Sequence, residues 1–247
     1  MQIWAIADLH LSFGVPEKTM EIFGAHWKDY QKRLETQWRA AVQPEDLVLV
    51  AGDISWALSL EQAKIDLDWI DHLPGIKVLV KGNHDYWWGS LSKVKKILPT
   101  SLNLIQNDAF DYQGVSIAGA RLWDTEEFFY GNQEKIPGDE QANQEKIFNR
   151  ELQRLETSLK DLNPQAKLRI AMTHYPPIGP TFKPTRVSKL LEKYQINICV
   201  FGHLHNFHKE TLQFGKIGSI TYYLTSADYL SFAPLNINQL QSEAFDR

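Results

Sequence analysis

Five short stretches carry side chains suited to metal and proton chemistry. In chain order they are Asp8-Leu9-His10, Gly52-Asp53, Gly82-Asn83-His84-Asp85, Thr173-His174 and Gly202-His203-Leu204-His205. Together they offer imidazole nitrogens, carboxylate oxygens and one amide oxygen, with no thiolate. A mixed N/O set of this kind suits Mn, Fe, Zn or Co better than an all-oxygen calcium cage or a cysteine-built structural zinc site. Singly, each stretch is unremarkable. Gly52-Asp53 is an ordinary strand-to-turn dipeptide, and His174 before Tyr175-Pro176-Pro177 reads equally well as a histidine held in a rigid loop. Their joint occurrence in this order makes a metal site the better reading.

Each stretch follows an apolar run of strand length. The runs are Ile3–Ala7, Leu47–Ala51, Ile76–Val80, Leu168–Met172 and Ile196–Phe201, and two more, Val115–Ala118 and Ile220–Thr225, have the same character. Several are apolar at consecutive positions, as strands buried on both faces are. Helical patterns lie between them: Glu17 to about Ala41, Leu60 to His72 after the N-cap candidate Ser59, and about Gln141 to Leu162, stopped by Asn163-Pro164. Alternating strands and helices predict an α/β fold with a partly parallel sheet, whose strand C-terminal ends collect the five stretches. The single residue between Asp8 and His10, and between His203 and His205, is read as period-two projection from extended backbone. Glycines 52, 82 and 202 are expected to let the chain turn tightly beside the ligands.

Composition narrows the class. Of 247 residues, 43% are hydrophobic and 23% charged, which excludes disordered, collagen-like and disulfide-built chains. A net charge of −4 gives no strong nucleic-acid signature. The lone Cys199 fits a reducing compartment, no basic leader opens the chain and no apolar run reaches membrane-spanning length, so a cytoplasmic location is expected. One domain over 1–247 is expected. Within it, 121–139 breaks the rhythm with Trp123, Phe128, Phe129 and Tyr130; it reads either as surface packing or as a lid over a pocket. Walker A, Gly-x-Gly-x-x-Gly and Gly-x-Ser-x-Gly motifs are absent, and Ser90-Leu91-Ser92-Lys93 lacks the companions of a penicillin-recognising enzyme.

The ordered set D-x-H, G-D, G-N-H-D, lone His and G-H-x-H resembles that of the calcineurin-like metallophosphoesterases, across about four-fifths of the chain; it is most similar to their small bacterial stand-alone phosphohydrolases. The resemblance implies a four-layer αββα sandwich of two mixed sheets with two divalent transition-metal ions at the strand ends. One ion would be held by Asp8, His10, Asp53 and His205, the other by Asp53, Asn83, His174 and His203, with Asp53 bridging. His84 would act on the leaving group or contact phosphoryl oxygens, oriented by Asp85. The sequence departs from the protein Ser/Thr phosphatases, which carry an acid-Arg-Gly run after Gly-Asp; here Trp56 stands in that region. Trp56, Arg121 and Tyr175 are the substrate-contact candidates, with Arg186 a further arginine to consider. The expected activity is hydrolysis of a small-molecule or nucleotide phosphomonoester or phosphodiester. The alternatives are a sugar-nucleotide or lipid-linked pyrophosphate hydrolase, or a non-catalytic protein-binding scaffold.

Overall fold

The computed structural model describes residues 1–130, 138–208 and 212–238. Two sheets form the centre. The first contains β1 (Ile3–Ile6), β2 (Leu47–Val50), β3 (Ile76–Leu79), β4 (Leu102–Leu104) and the two-residue β11 (Leu235–Asn236), in the order β11-β1-β2-β3-β4. The second contains β5 (Ala109–Tyr112), β6 (Val115–Ala120), β7 (Leu168–Thr173), β8 (Ile198–Phe201), β9 (Lys216–Ile217) and β10 (Ile220–Leu224), in the order β5-β6-β7-β8-β10-β9. Interior neighbours in both sheets run parallel, while β11, β5 and β9 close edges antiparallel.

Consecutive apolar residues in the strands fall alternately on two buried faces. Ala5, Leu49 and Val78 point between the sheets to meet Ile117, Ile170, Ile198 and Val200. Their neighbours Ile6, Val48 and Val50 point outward, under Leu34 and Trp38 of α1 (Tyr30–Ala41) and Leu67 and Ile70 of α2 (Leu60–Asp71). On the far side, Ala118, Ala171, Cys199 and Phe201 lie under Phe148, Leu155 and Leu159 of α4 (Gly138–Lys160) and Val187 and Leu191 of α5 (Arg186–Lys193). The three apolar layers make the expected αββα sandwich. Each large side chain fully buried in them contributes ~1.5–3 kcal/mol.

Several predicted boundaries move. The continuous helix expected over Glu17–Ala41 is two single 3-10 turns, Met20–Phe23 and Ala25–Trp27, followed by α1. Gly24 at φ 139° and Asp29 at φ 51° break it, since neither conformation continues a right-handed helix. Short edge strands and the small helices α3 (Leu91–Ile97) and α5 carried too few periodic residues to be predicted. Ser59 does cap α2, through a reciprocal box with Gln62. Among the described residues no helix is long and apolar enough to cross a membrane.

The parallel strands point their C-terminal ends to one rim, where the sheets are joined. Ala7, just past β1, bridges Ser226, just past β10; Ala7 N donates to Thr225 O at 2.7 Å and Ala227 N to Ala7 O at 2.9 Å.

Candidate metal centre

The five stretches all emerge at this rim and remain hydrogen-bonded to one another beyond the strands. Asp8 N donates to Gly52 O (2.9 Å), His10 N to Asp53 O (3.0 Å) and Gly202 N to His174 O (3.1 Å). Asp8, His10, Asp53 and His203 have φ of 59°, 44°, 51° and 71°. The extended, period-two projection expected from the sequence is therefore corrected: left-handed residues bend the chain so that both side chains of each pair turn inward. Such conformations cost ~1–3 kcal/mol each and concentrate at functional sites. Gly52, at φ 92°, has a second constraint, because a Cβ there would sit 2.5 Å from His174 Nδ1.

The seven predicted ligands converge. Asp8, His10 and His205 place donor atoms within 4.8 Å of one another, as do Asp8, Asp53 and His174. His10 Nε2 faces His205 Nε2 at 3.3 Å, and His205 Nε2 lies 3.7 Å from Asp8 Oδ1. Asp53 Oδ2 looks both ways, 3.7 Å from His10 Nε2 and 3.4 Å from His174 Nε2. Asn83 Oδ1 sits 2.7 Å from His174 Nε2 and 3.1 Å from His203 Nδ1. The donor set fits cations: Asp8 Oδ1 is buried without a hydrogen-bond partner, and two imidazole nitrogens face each other beside it. Asp8 belongs to both donor groups, whereas the resemblance assigns the shared position to Asp53; the two carboxylates jointly span the pair.

Ring partners fix which nitrogen faces inward. His174 Nδ1 meets Ala51 O at 3.1 Å, and His205 Nδ1 meets Asp228 Oδ1 at 3.0 Å, leaving each Nε2 for the site. Asp228 was not predicted; its only sequence signal is a carboxylate three residues past the Ile220–Thr225 run. Electrostatics follow from burial and these neighbours. Burial opposes the charged forms of His174 and His205, but carboxylates outweigh it and raise both to about 9: Asp53 for His174, Asp8 and Asp228 for His205. Burial dominates at His10 and His203, which fall to about 3, and at Asp8, which rises to about 6. Asp53 is held well below the usual range because His174 and His10 overcome its burial.

His84 adjoins the converging residues. Its backbone N donates to Asp53 Oδ1 at 2.8 Å, its ring packs 4.5 Å from Trp56, and its buried Nδ1 has no partner. Burial lowers its pKa. The expectation that Asp85 orients this ring is corrected. Asp85 accepts from Ile54 N, Ser55 N, Gly82 N and Trp87 Nε1 at 2.8–3.1 Å, so its oxygens are engaged in clamping the loop. Trp56 lies between imidazoles, stacked 5.0 Å from His10. Tyr175 packs 4.0 Å from the His203 ring and lines a cavity of about 170 Å3 with Trp123, Tyr130, Phe207, His203 and His205. Trp87 and Trp88, near the motifs in sequence, lie in the core.

Arg121 turns from the metal ligands to Glu151, at 3.2 Å, and stacks on Trp123. Arg186 joins Glu127 to Glu145 and covers Phe148. Of the predicted lid 121–139, residues 131–137 lie outside the described residues. Gly138 and Asp139 begin α4, and 123–130 contribute the aromatic wall of the cavity.

Comparison with known proteins agrees with this geometry. The Metallophos family model, described as calcineurin-like phosphoesterase, matches residues 1–207. The gene 66 protein of Mycobacterium phage D29 is 33% identical over 84 residues, which are 34% of this chain; the match spans 40% of that protein's length. Among solved structures, the phosphopantetheinyl hydrolase PptH of Mycobacterium tuberculosis is similar at TM-score 0.53 and 16% identity, over 91% of this chain and 88% of that one. A protein of unknown function from Aquifex aeolicus gives 0.50 and 15% over 98% of both chains. GAP50, the anchor in the inner membrane complex of Plasmodium, gives 0.50 and 9%, over 92% of this chain and 72% of that one. At these identities the structural likeness is one of fold.

Proposed function

Since the chain belongs to the calcineurin-like phosphoesterase family, we propose that it hydrolyses a phosphomonoester or phosphodiester of a small molecule or nucleotide at a two-metal centre. The observation that carries this reading is the convergence of Asp8, His10, Asp53, Asn83, His174, His203 and His205 on one rim, with the Asp8 oxygen buried and unpartnered. Asp8, His10, Asp53 and His205 would hold one ion, and Asp53, Asn83, His174 and His203 the other. Bound divalent ions such as Mn, Fe, Zn or Co supply an acidified water and positive charge for the phosphoryl oxygens.

The remaining steps belong to the protein. Asp85 fixes the loop that carries Asn83 and His84, and Trp56 holds the His84 ring against the site. His84, whose pKa burial lowers, offers a ring N–H to the departing oxygen or a phosphoryl oxygen. The aromatic cavity beside His203 and His205 favours a substrate with a planar or apolar group, such as a nucleobase. Both sheets supply ligands, so the chain acts as one domain. A lone buried Cys199 suits the reducing cytoplasm.

The test is hydrolysis of nitrophenyl phosphate and bis-nitrophenyl phosphate by the purified chain, before and after chelation. We expect activity to vanish on chelation and return with added Mn2+. Protein that binds metal yet turns over neither ester, nor any nucleotide, would be a scaffold instead.

A further inference from the structure

A second cavity, of about 270 Å3, shares no lining residue with the aromatic one. Its charged lining is Lys81, Arg121, Arg150, Arg154 and a single carboxylate, Glu151. That volume is near the lower end for small-ligand sites, ~300 Å3. Glu151 is 1% exposed, and one of its oxygens serves all three arginines: Arg154 Nη1 at 2.8 Å, Arg121 Nη2 at 3.2 Å and Arg150 Nε at 3.7 Å. Among the lining residues one negative charge thus faces four positive ones, in a protein whose overall charge is −4. Arg150 and Arg154 stand one turn apart on α4, where like charges repel. Arg121 Nε is buried with no hydrogen-bond partner. Lys81 donates to Trp88 O at 2.5 Å.

We propose that this cavity binds a phosphate-type oxyanion. Guanidinium groups match such an anion with paired N–H donors, and a bound dianion would neutralise the excess charge. The position couples the cavity to the metal centre. Lys81 precedes Gly82-Asn83 directly, and the Arg121 carbonyl accepts from His174 N at 3.2 Å and Tyr175 N at 2.9 Å. The anion is either free phosphate or a second phosphate carried by the substrate.

Calorimetric titration of the metal-loaded full chain with inorganic phosphate decides the matter. We expect two phosphates per chain, one at the metals and one here. The double variant Arg150→Gln/Arg154→Gln, whose residues lie at the more open edge of the network, should keep its metals and its rate on nitrophenyl phosphate. Its second site should weaken by roughly tenfold to a hundredfold. Glu151→Gln, which removes the competing carboxylate, should tighten the same site; a purely structural ion network gives no such opposite pair of shifts. A KM rise in the double variant confined to adenosine 3′,5′-bisphosphate, with adenosine 5′-monophosphate unchanged, assigns the anion to the substrate. Unchanged KM for both, with the calorimetric loss present, assigns it to free phosphate. Equal stoichiometry and affinity in the native chain and the arginine variant overturns the proposal. Binding is read without turnover, so that result leaves the phosphoesterase reading standing.

Discussion

The proton held by His174 and His205 is the first thing an incoming metal must displace. In the metal-free protein their carboxylate neighbours raise both to about 9, so both are charged at pH 7. Metal titration in weak buffer at pH 7 should therefore release about two protons per chain, and affinity should rise as the pH approaches 9. Stability moves the opposite way. A histidine raised on folding contributes stability that is complete below its ordinary 6.5 and lost as the pH passes 9, so chelated protein should melt lower across that window. Asp228→Asn should weaken metal binding by roughly 10–100-fold, because it loosens the His205 ring without removing a ligand. At His84 the leaving group is the discriminator. His84→Ala should keep its metals and lose ~10²–10⁴-fold on alkyl or nucleotide esters, but less on nitrophenyl esters, whose leaving group departs as an anion. Equal losses on both would assign His84 to the phosphoryl oxygens. The seven converging residues were legible because each follows an apolar run in a distinctive pairing of types. Asp228 was not, because only the parallel pairing of β10 with β8 brings it beside His205.

Among the elements, β3 and α2 are tied by Lys77. This fully buried lysine donates to Leu73 O, to Asp71 O at 3.2 Å and to Ser101 Oγ at 3.1 Å, closing carbonyls at the C-terminus of α2. Lys77→Met keeps the length of the side chain and removes the donors. It should cost ~1–3 kcal/mol, seen as a lower urea midpoint at unchanged slope, with metal content preserved. From the sequence Lys77 is merely a charge interrupting an apolar run; its acceptors come from the last residue of α2, the turn after it and the residue before β4. The helix expected over Glu17–Ala41 failed for a similar reason. Of the apolar residues in that pattern Met20, Trp27, Leu34 and Trp38 are buried, but Ile22 and Phe23 are exposed, and the left-handed Asp29 bends the chain between the turns and α1. Ser59 was readable because its capping partner is three residues away. Local partners leave a trace in sequence; distant ones do not.

For the whole molecule, the sheet assignment is what composition and periodicity left undecided. The seven predicted runs look alike, and nothing in them says that Leu47–Val50 joins Ile3–Ile6 while Ile198–Phe201 joins Leu168–Thr173. The family resemblance supplied the two-sheet arrangement. The structure adds the junction of Ala7 with Ser226, which brings both sets of strand ends to one rim. That junction explains why the candidate ligands of both sheets meet, and why left-handed backbone at Asp8, His10, Asp53 and His203 is tolerated there: each is held by hydrogen bonds from another loop or strand end. The proposal of a two-ion centre bridged by Asp53 is tested most directly by metal analysis of the native chain beside Asp53→Asn and His203→Asn. Native protein should contain two divalent ions, His203→Asn should retain one, and Asp53→Asn should lose affinity for both. Two ions bound to Asp53→Asn with undiminished affinity, or a single ion in the native chain at saturating metal, would contradict it.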